Sequence, residues 1–322
     1  MALGRRILAW HCPHAHSSLL GVALLTAFSL GGQDPIAKAK RTFSLEPDVK
    51  TFAVWRYIPR WNSAILVGYD TNFSSGLILY TIDRDGRREE MMFTLQDGAR
   101  INAYNIAASP KGEIAIVGSA LTANIQDRTF VARIAADRTQ QVITRTWPYC
   151  PKVVTFAPDG SLWTIGNLKS KEGIGDIPGH YLRRFDPSGK MLASTTVRAR
   201  GWHSDEISFL SASRDRVGWF TTDGEYIEFS LDGSEIARYD GPDGENARDI
   251  TGVALSEEND VVAGHFGKGK AQFVALDRET HRWLPAALPA GYAPTWAWVL
   301  GFDGTTMVTY SEMGILHRLR MD

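Results

Sequence analysis

The sequence predicts an all-β chain folded as a single β-propeller of six four-stranded blades, its ring closed by an N-terminal strand that completes the last blade. Three observations lead there: a strand–turn–strand unit recurs at near-even spacing, each unit carries a second hairpin with no helical period, and the last unit ends one strand short.

The recurring unit is clearest at Ala108-Ser109-Pro110-Lys111-Gly112-Glu113-Ile114, Phe156-Ala157-Pro158-Asp159-Gly160-Ser161-Leu162, Leu255-Ser256-Glu257-Glu258-Asn259-Asp260-Val261 and Gly301-Phe302-Asp303-Gly304-Thr305-Thr306-Met307. Weaker copies span Ile58 to Ile65 and Phe209 to Val217. The first residues after these turns are Ile65, Ile114, Leu162, Val217, Val261 and Met307, separated by 49, 48, 55, 44 and 46 positions. Further turns at Asp83-Arg84-Asp85-Gly86, Ala136-Asp137-Arg138-Thr139, Asp186-Pro187-Ser188-Gly189, Asp232-Gly233-Ser234 and Asp277-Arg278-Glu279-Thr280 use the residues that tight antiparallel connections select. Repeats of this length with four strands each are the pattern of propeller blades.

The last unit stops at Asp322, where its third strand, Ile315 to Arg320, finishes. Arg41-Thr42-Phe43-Ser44-Leu45 has the character of the outer strands Met91-Met92-Phe93-Thr94-Leu95 and Met191-Leu192-Ala193-Ser194-Thr195, and is expected to supply the missing one. Closure of this kind removes unpaired edges.

Ahead of it, Arg5 and Arg6 precede an apolar run from Leu19 to Leu30, the layout of a signal peptide over residues 1–39, with cleavage after Ser29 or Ala39. The mature domain is then 40–322, secreted or periplasmic, with no transmembrane domain beyond the signal segment; an uncleaved anchor is the alternative. Cys12 falls inside that segment and leaves Cys150 alone, so no internal disulfide is expected. The 35 Lys+Arg against 36 Asp+Glu give a net charge of −1, which offers no field for nucleic acid.

The units Val154-Thr155-Phe156-Ala157-Pro158-Asp159-Gly160-Ser161-Leu162-Trp163 and Tyr181-Leu182-Arg183-Arg184-Phe185-Asp186-Pro187-Ser188-Gly189 make the chain from residue 41 onward similar to six-bladed propellers of the NHL-repeat and gluconolactonase/regucalcin kind. The fold alone hosts many activities. What the resemblance implies for chemistry is a divalent metal, held by Glu, Asn and Asp donors from different blades, in a hydrolase of lactones or related esters.

In an up-and-down meander the first and third hairpins open on one face, and the second hairpins and blade connections on the other. The first set is short and Asp/Gly-rich; the second varies, as at Asn167 to His180, Asp240 to Arg248 and His265 to Lys270. Variable loops on a rigid scaffold carry binding groups. Counting back twelve places from each strand start gives Ala53, Asn102, Cys150, Asp205, Asp249 and Thr295 as a ring round the channel. Asn102, Asp205, Glu206 and Asp249 are hard-oxygen donors suited to Ca²⁺. Arg56, Asn105, Trp202, His203, Trp296 and Trp298 are the expected ligand-binding residues of the channel mouth, its aromatics fit for stacking. The first blade offers Ala53 where the lactonase pattern would have an acidic ligand, and no phosphate loop, His-Glu-x-x-His, paired-Cys spacing or nucleophile elbow is present. The expectation is therefore a binding module of the cell envelope needing no cofactor, with a peptide, carbohydrate or protein partner on the variable face; the alternative is the Ca²⁺-dependent lactonase or esterase.

Overall fold

A computed structural model describes residues 41–45, 50–51, 60–62, 65–70, 76–83, 88–95, 100–170, 176–199, 208–242, 249–267, 269–311 and 315–321. The strands are β1 (Arg41–Leu45), β2 (Lys50–Thr51), β3 (Arg60–Asn62), β4 (Ile65–Asp70), β5 (Leu77–Asp83), β6 (Arg88–Phe93), β7 (Arg100–Ala108), β8 (Ile114–Leu121), β9 (Thr129–Ile134), β10 (Gln141–Arg145), β11 (Tyr149–Phe156), β12 (Leu162–Lys169) and β13 (Asp176–Phe185). They continue as β14 (Met191–Val197), β15 (Phe209–Ala212), β16 (Arg216–Phe220), β17 (Glu225–Ser230), β18 (Glu235–Asp240), β19 (Ile250–Leu255), β20 (Val261–Gly267), β21 (Lys270–Asp277), β22 (Arg282–Ala287), β23 (Ala297–Asp303), β24 (Thr306–Ser311) and β25 (Ile315–Met321).

Among the described residues these form four four-stranded meanders, β3–β6, β7–β10, β11–β14 and β15–β18, hereafter the first to fourth sheets, and one nine-stranded sheet. The latter joins β19–β22, the fifth sheet, to β23–β25 through β1. Strand β1 runs antiparallel to β25, with Phe43 opposite Met321 and Leu45 opposite Leu319, and pairs parallel with β22 at Arg41 and Thr42. The first strand of each sheet lies innermost: β7 packs beside β11, β11 beside β15, β15 beside β19, β19 beside β23, and β3 touches both β23 and β7. Sheets set radially around a common axis make this a β-propeller.

Burial follows from that arrangement. Each sheet is covered on both faces, so the second strand from the axis is buried along its length rather than on alternate residues: β16 from Val217 to Phe220 and all of β24 are buried, the latter including Thr306, Thr309 and Ser311. Ala115 and Val117 of β8 face the third sheet in one cluster with Val154 and Phe156, while Ile114 and Ile116 face the first in another with Leu77 and Phe93. The outermost β14 is exposed at five of seven positions.

The first and third hairpins share one geometry. At Ala157–Ser161, Ala157 N–H donates to Ser161 O at 2.9 Å and Gly160 N–H to Ala157 O at 2.9 Å; Asp186–Lys190 and Ser230–Ser234 repeat it. This is a turn followed by one left-handed residue, which is why Gly160 (φ 81°), Gly189 (φ 84°) and Gly233 (φ 98°) stand there. Among the described residues no helix is long and apolar enough to cross a membrane.

Candidate functional site

The innermost strands enclose a cavity of about 100 Å³ on the axis, lined by Asn105, Thr155, Ser211, Val253, Leu300 and their neighbours. On its second-hairpin side, three of these innermost strands carry a recurring bulge just beyond the lining residues. The ladder slips at Tyr104 in β7, Lys152 in β11 and Thr251 in β19, each ten residues before the second-strand starts Ile114, Leu162 and Val261. A bulge re-aims the side chain it carries. A glycine on the neighbouring strand admits it: a Cβ on Gly118 would overlap the carbonyl oxygen of Asn102, and one on Gly166 would overlap that of Cys150 and lie 2.7 Å from Pro151 Cα. Tyr104 donates its hydroxyl hydrogen bond to Ser119 Oγ at 2.8 Å, and the Lys152 ammonium lies 4.6 Å from the Tyr104 ring centroid. Tyr104 and Lys152 were not among the expected site residues; the glycine four places after the strand start was the available signal.

Five of the expected residues, Arg56, Trp202, His203, Asp205 and Glu206, lie outside the described residues. Of the other five, only Asn105 is among the residues lining the cavity, and its side-chain oxygen accepts from the backbone N–H of Val154 at 3.3 Å and so ties β7 to β11. Asn102 is exposed on β7, and Asp249 is half-buried one residue before β19. Passing through β11 and β15, or through β23 and β3, β7 and β19 are three steps apart, so Asn102 and Asp249 face each other across the axis rather than side by side. Among the described residues no group of three or more His, Cys, Asp or Glu is placed to hold a metal ion. Trp296 and Trp298 meet edge to face at 6.2 Å and 80°, and both pack against Leu300, Val308, Tyr310 and Leu316. Cys150 is buried at 1% exposure.

The two faces differ chemically. On the first- and third-hairpin face, charge is consumed in joining sheets. Arg133 donates to Glu113 Oε1 at 2.6 Å and to Gly160 O of the next sheet at 2.7 Å; Arg184 pairs with Asp159 and reaches Leu231 O of the fourth sheet at 3.0 Å; Arg41 pairs with Asp260. On the second-hairpin face, large apolar side chains stand in solvent at the hairpin tips: Leu121 at 76%, Phe266 at 43% and Ile177 at 42% exposure, on three different sheets.

No protein-family model matches the sequence, and no curated protein does. Solved structures match in fold. A catalytically inactive variant of virginiamycin B lyase from Staphylococcus aureus, with quinupristin, is 13% identical, with 86% of this chain and 99% of that one covered at a TM-score of 0.50. The selenomethionine-substituted lyase of the same organism is 14% identical over the same shares, at a TM-score of 0.48. Likeness at this identity extends to the propeller fold alone.

Proposed function

We propose that this chain is an exported binding module of the cell envelope, holding a peptide, carbohydrate or protein partner on the second-hairpin face of a six-bladed propeller. The observation that carries the reading is the placement of Leu121, Ile177 and Phe266, bare at the second-hairpin tips of three different sheets. Exposed apolar side chains also occur on outer strands, at Met92, Met191, Leu192 and Ile236, as is ordinary on a surface, but Leu121, Ile177 and Phe266 stand at the second-hairpin tips of three sheets, which open together on one face and offer a contact surface. Six blades, closed by β1, are supported by the cyclic packing of β3, β7, β11, β15, β19 and β23 and by the β1–β25 pairing, and the NHL-repeat kind rests on the sequence resemblance of the blade units. Residues 1–39 are read as a signal peptide and 40–322 as the propeller.

The test compares the mature protein with a Leu121→Ser, Ile177→Ser, Phe266→Ser variant in cross-linking from the cell envelope. Loss of one defined partner with an unchanged thermal midpoint supports the reading; identical capture by both rejects it. The competing reading, a Ca²⁺-dependent lactonase or esterase using Asn102, Asp205, Glu206 and Asp249, requires lactone turnover that needs Ca²⁺ and disappears in Asp249→Ala, with Ca²⁺ raising the thermal midpoint of the unsubstituted protein.

A further inference from the structure

The outer edges of the sheets are not equally protected. β1 lies against β22 and β25, which leaves β6, β10, β14 and β18 as outer strands with no strand beyond them among the described residues. β6 carries Arg88, Glu89 and Glu90, β10 carries Arg145, and β18 carries Glu235, Arg238 and Asp240; charges on an edge discourage the docking of another strand. β14, Met191-Leu192-Ala193-Ser194-Thr195-Thr196-Val197, has neither a charge nor a proline. It is the longest of the four and is exposed at five of seven positions, against three of six in β18 and one of five in β10. A bulge at Leu192 interrupts its start, but from Ala193 to Val197 its ladder with β13 is regular, so every second residue there turns its N–H and C=O outward.

The fold already shows an outer edge of this kind taking one more strand. β1 pairs parallel with β22, the outer strand of the fifth sheet, at Arg41 opposite Ala286 and Thr42 opposite Ala287, while its remaining residues pair with β25. A four-stranded blade of this propeller is thus not saturated at its outer strand. β14 offers the same kind of edge with no strand of this chain on it among the described residues.

The surroundings of β14 set the charge of a partner. Lys190 precedes the strand and Arg198 follows it, both exposed, and Arg183 of β13 lies opposite Ser194, to whose Oγ its Nε donates at 3.2 Å. The Arg183 guanidinium otherwise lies over the Tyr149 ring, 4.1 Å from its centroid. The nearby Arg184 and Arg238 are paired, with Asp159 and with Glu225 and Glu235, whereas Lys190, Arg183 and Arg198 form no ion pair among the described residues. Asp186, beside Lys190, engages its carboxylate with the N–H groups of Ser188 and Lys190 and the Ser188 hydroxyl. A second copy paired antiparallel about Ser194 would set Lys190 against Arg198 of the other copy, and like charges directly opposite are unfavourable. We propose that β14 is a docking edge for an extended segment of another protein, added as a fifth strand to the third sheet, whose acidic residues flank a neutral, β-branched centre. The edge lies at the rim of the propeller and does not depend on the second-hairpin face.

The probes are the peptide Glu-Val-Thr-Val-Thr-Val-Thr-Val-Glu, which presents an acid at each end in either strand direction, and its counterpart with Lys at both ends. Anisotropy of the labelled peptide gives the affinity, and amide hydrogen exchange of the protein reports the place. The acidic peptide is expected to bind saturably and to slow exchange at alternate residues from Ala193 to Val197, and the basic peptide to do neither. Lys190→Glu combined with Arg198→Glu, both at exposed positions, is expected to weaken the acidic peptide about tenfold with an unchanged thermal midpoint. No saturable binding of the acidic peptide, equal binding of the two peptides, or binding that leaves exchange from Ala193 to Val197 unchanged overturns the proposal. So does concentration-dependent protection of β14 without peptide, which would assign the edge to a second copy of the chain. The Leu121→Ser, Ile177→Ser, Phe266→Ser variant is expected to bind the acidic peptide as the parent does, so this edge and the second-hairpin face are tested separately.

Discussion

Glu228 holds in the fourth sheet the ladder position that Arg184 holds in the third. Arg133, Arg184 and Arg318 each lie opposite the second residue after a first-hairpin turn, Ala115, Trp163 and Val308, and each pairs with an acid of that turn: Glu113, Asp159 and Asp303. Glu228 lies opposite Gly218 in the same register, with the sign reversed. It is fully buried, accepting from Arg216 Nη1 at 2.9 Å within its sheet and from Arg278 Nη2 at 2.5 Å in the next. The two guanidinium groups keep 21% and 28% exposure, so the burden of desolvation falls on the carboxylate. Replacing both arginines by Met strands a buried charge and is expected to cost about 3–5 kcal/mol in urea unfolding. Glu228→Leu, which leaves cations with water still in reach, is expected to cost less; the reverse order would show that the arginines, not the carboxylate, depend on the pair.

Gly166 makes a sharper prediction. Its missing Cβ is what lets the bulge at Lys152 bring the Cys150 carbonyl against β12, and the obstructing atoms are backbone, which cannot swing aside. Gly166→Ala is expected to destabilise by about 2–3 kcal/mol, as overpacking does, and Gly118→Ala in the second sheet similarly. Denaturant midpoints check both. If the bulge also shapes the channel mouth, Gly166→Ala should move the Lys152 ammonium off the Tyr104 ring, which the Tyr104 ring chemical shifts would report.

These relationships mark the boundary of what the sequence makes legible. Strand starts at Ile65, Ile114, Leu162 and Val261 open β4, β8, β12 and β20, while Val217 and Met307 are the second residues of β16 and β24, because turn residues are chosen by local backbone geometry. The pairing of Arg41–Leu45 with β25 was legible for the same reason: a strand was missing and one spare segment matched it. Site positions were less accessible. Counting back twelve places puts Asn102 and Cys150 in one ladder position, yet one is exposed and the other is 1% exposed. The difference lies in what each sheet stacks against them, since β12 and β13 stay paired out to Lys169 and Asp176, and no spacing rule encodes that. The bulges were hidden likewise, although Gly118 and Gly166 stood in plain view inside apolar strands, where a glycine signals close backbone approach.

His180 yields a pH dependence. Burial holds its folded pKa below the ordinary 6.5, with Asp223 opposing. The unfolded chain therefore takes up the proton at higher pH than the folded one, and stability rises with pH across that window. The contribution is fully present above pH 6.5 and is lost as pH falls through the folded value. Urea midpoints measured from pH 7.5 down to pH 5 should fall, and His180→Phe should flatten that slope while keeping the edge contact that the His180 ring makes with Trp219. An unchanged slope would place the titration elsewhere.

What holds β1 in place can be separated into charge and burial. Arg41 pairs with Asp260, but its side chain is 44% exposed, and an ion pair so open to solvent contributes about 0–1 kcal/mol. Phe43 is 4% exposed and belongs to the cluster of Ala254, Phe273, Val299, Met307 and Leu319 that joins the fifth sheet to β23–β25. Phe43→Ala is therefore expected to cost about 3–5 kcal/mol and Arg41→Ala under 1 kcal/mol. Added salt should weaken only the second difference, because screening acts on the exposed pair and leaves apolar burial untouched. Beyond its energy, β1 covers the edge of β25, and an uncovered edge pairs with whatever strand it meets. Deleting residues 41–45 should thus produce concentration-dependent aggregates on size-exclusion chromatography that the parent protein does not form, and a synthetic peptide of residues 41–51 added in excess should reverse it. Failure of that peptide to rescue would mean that β1 contributes through its covalent tether rather than through the strand pairing itself.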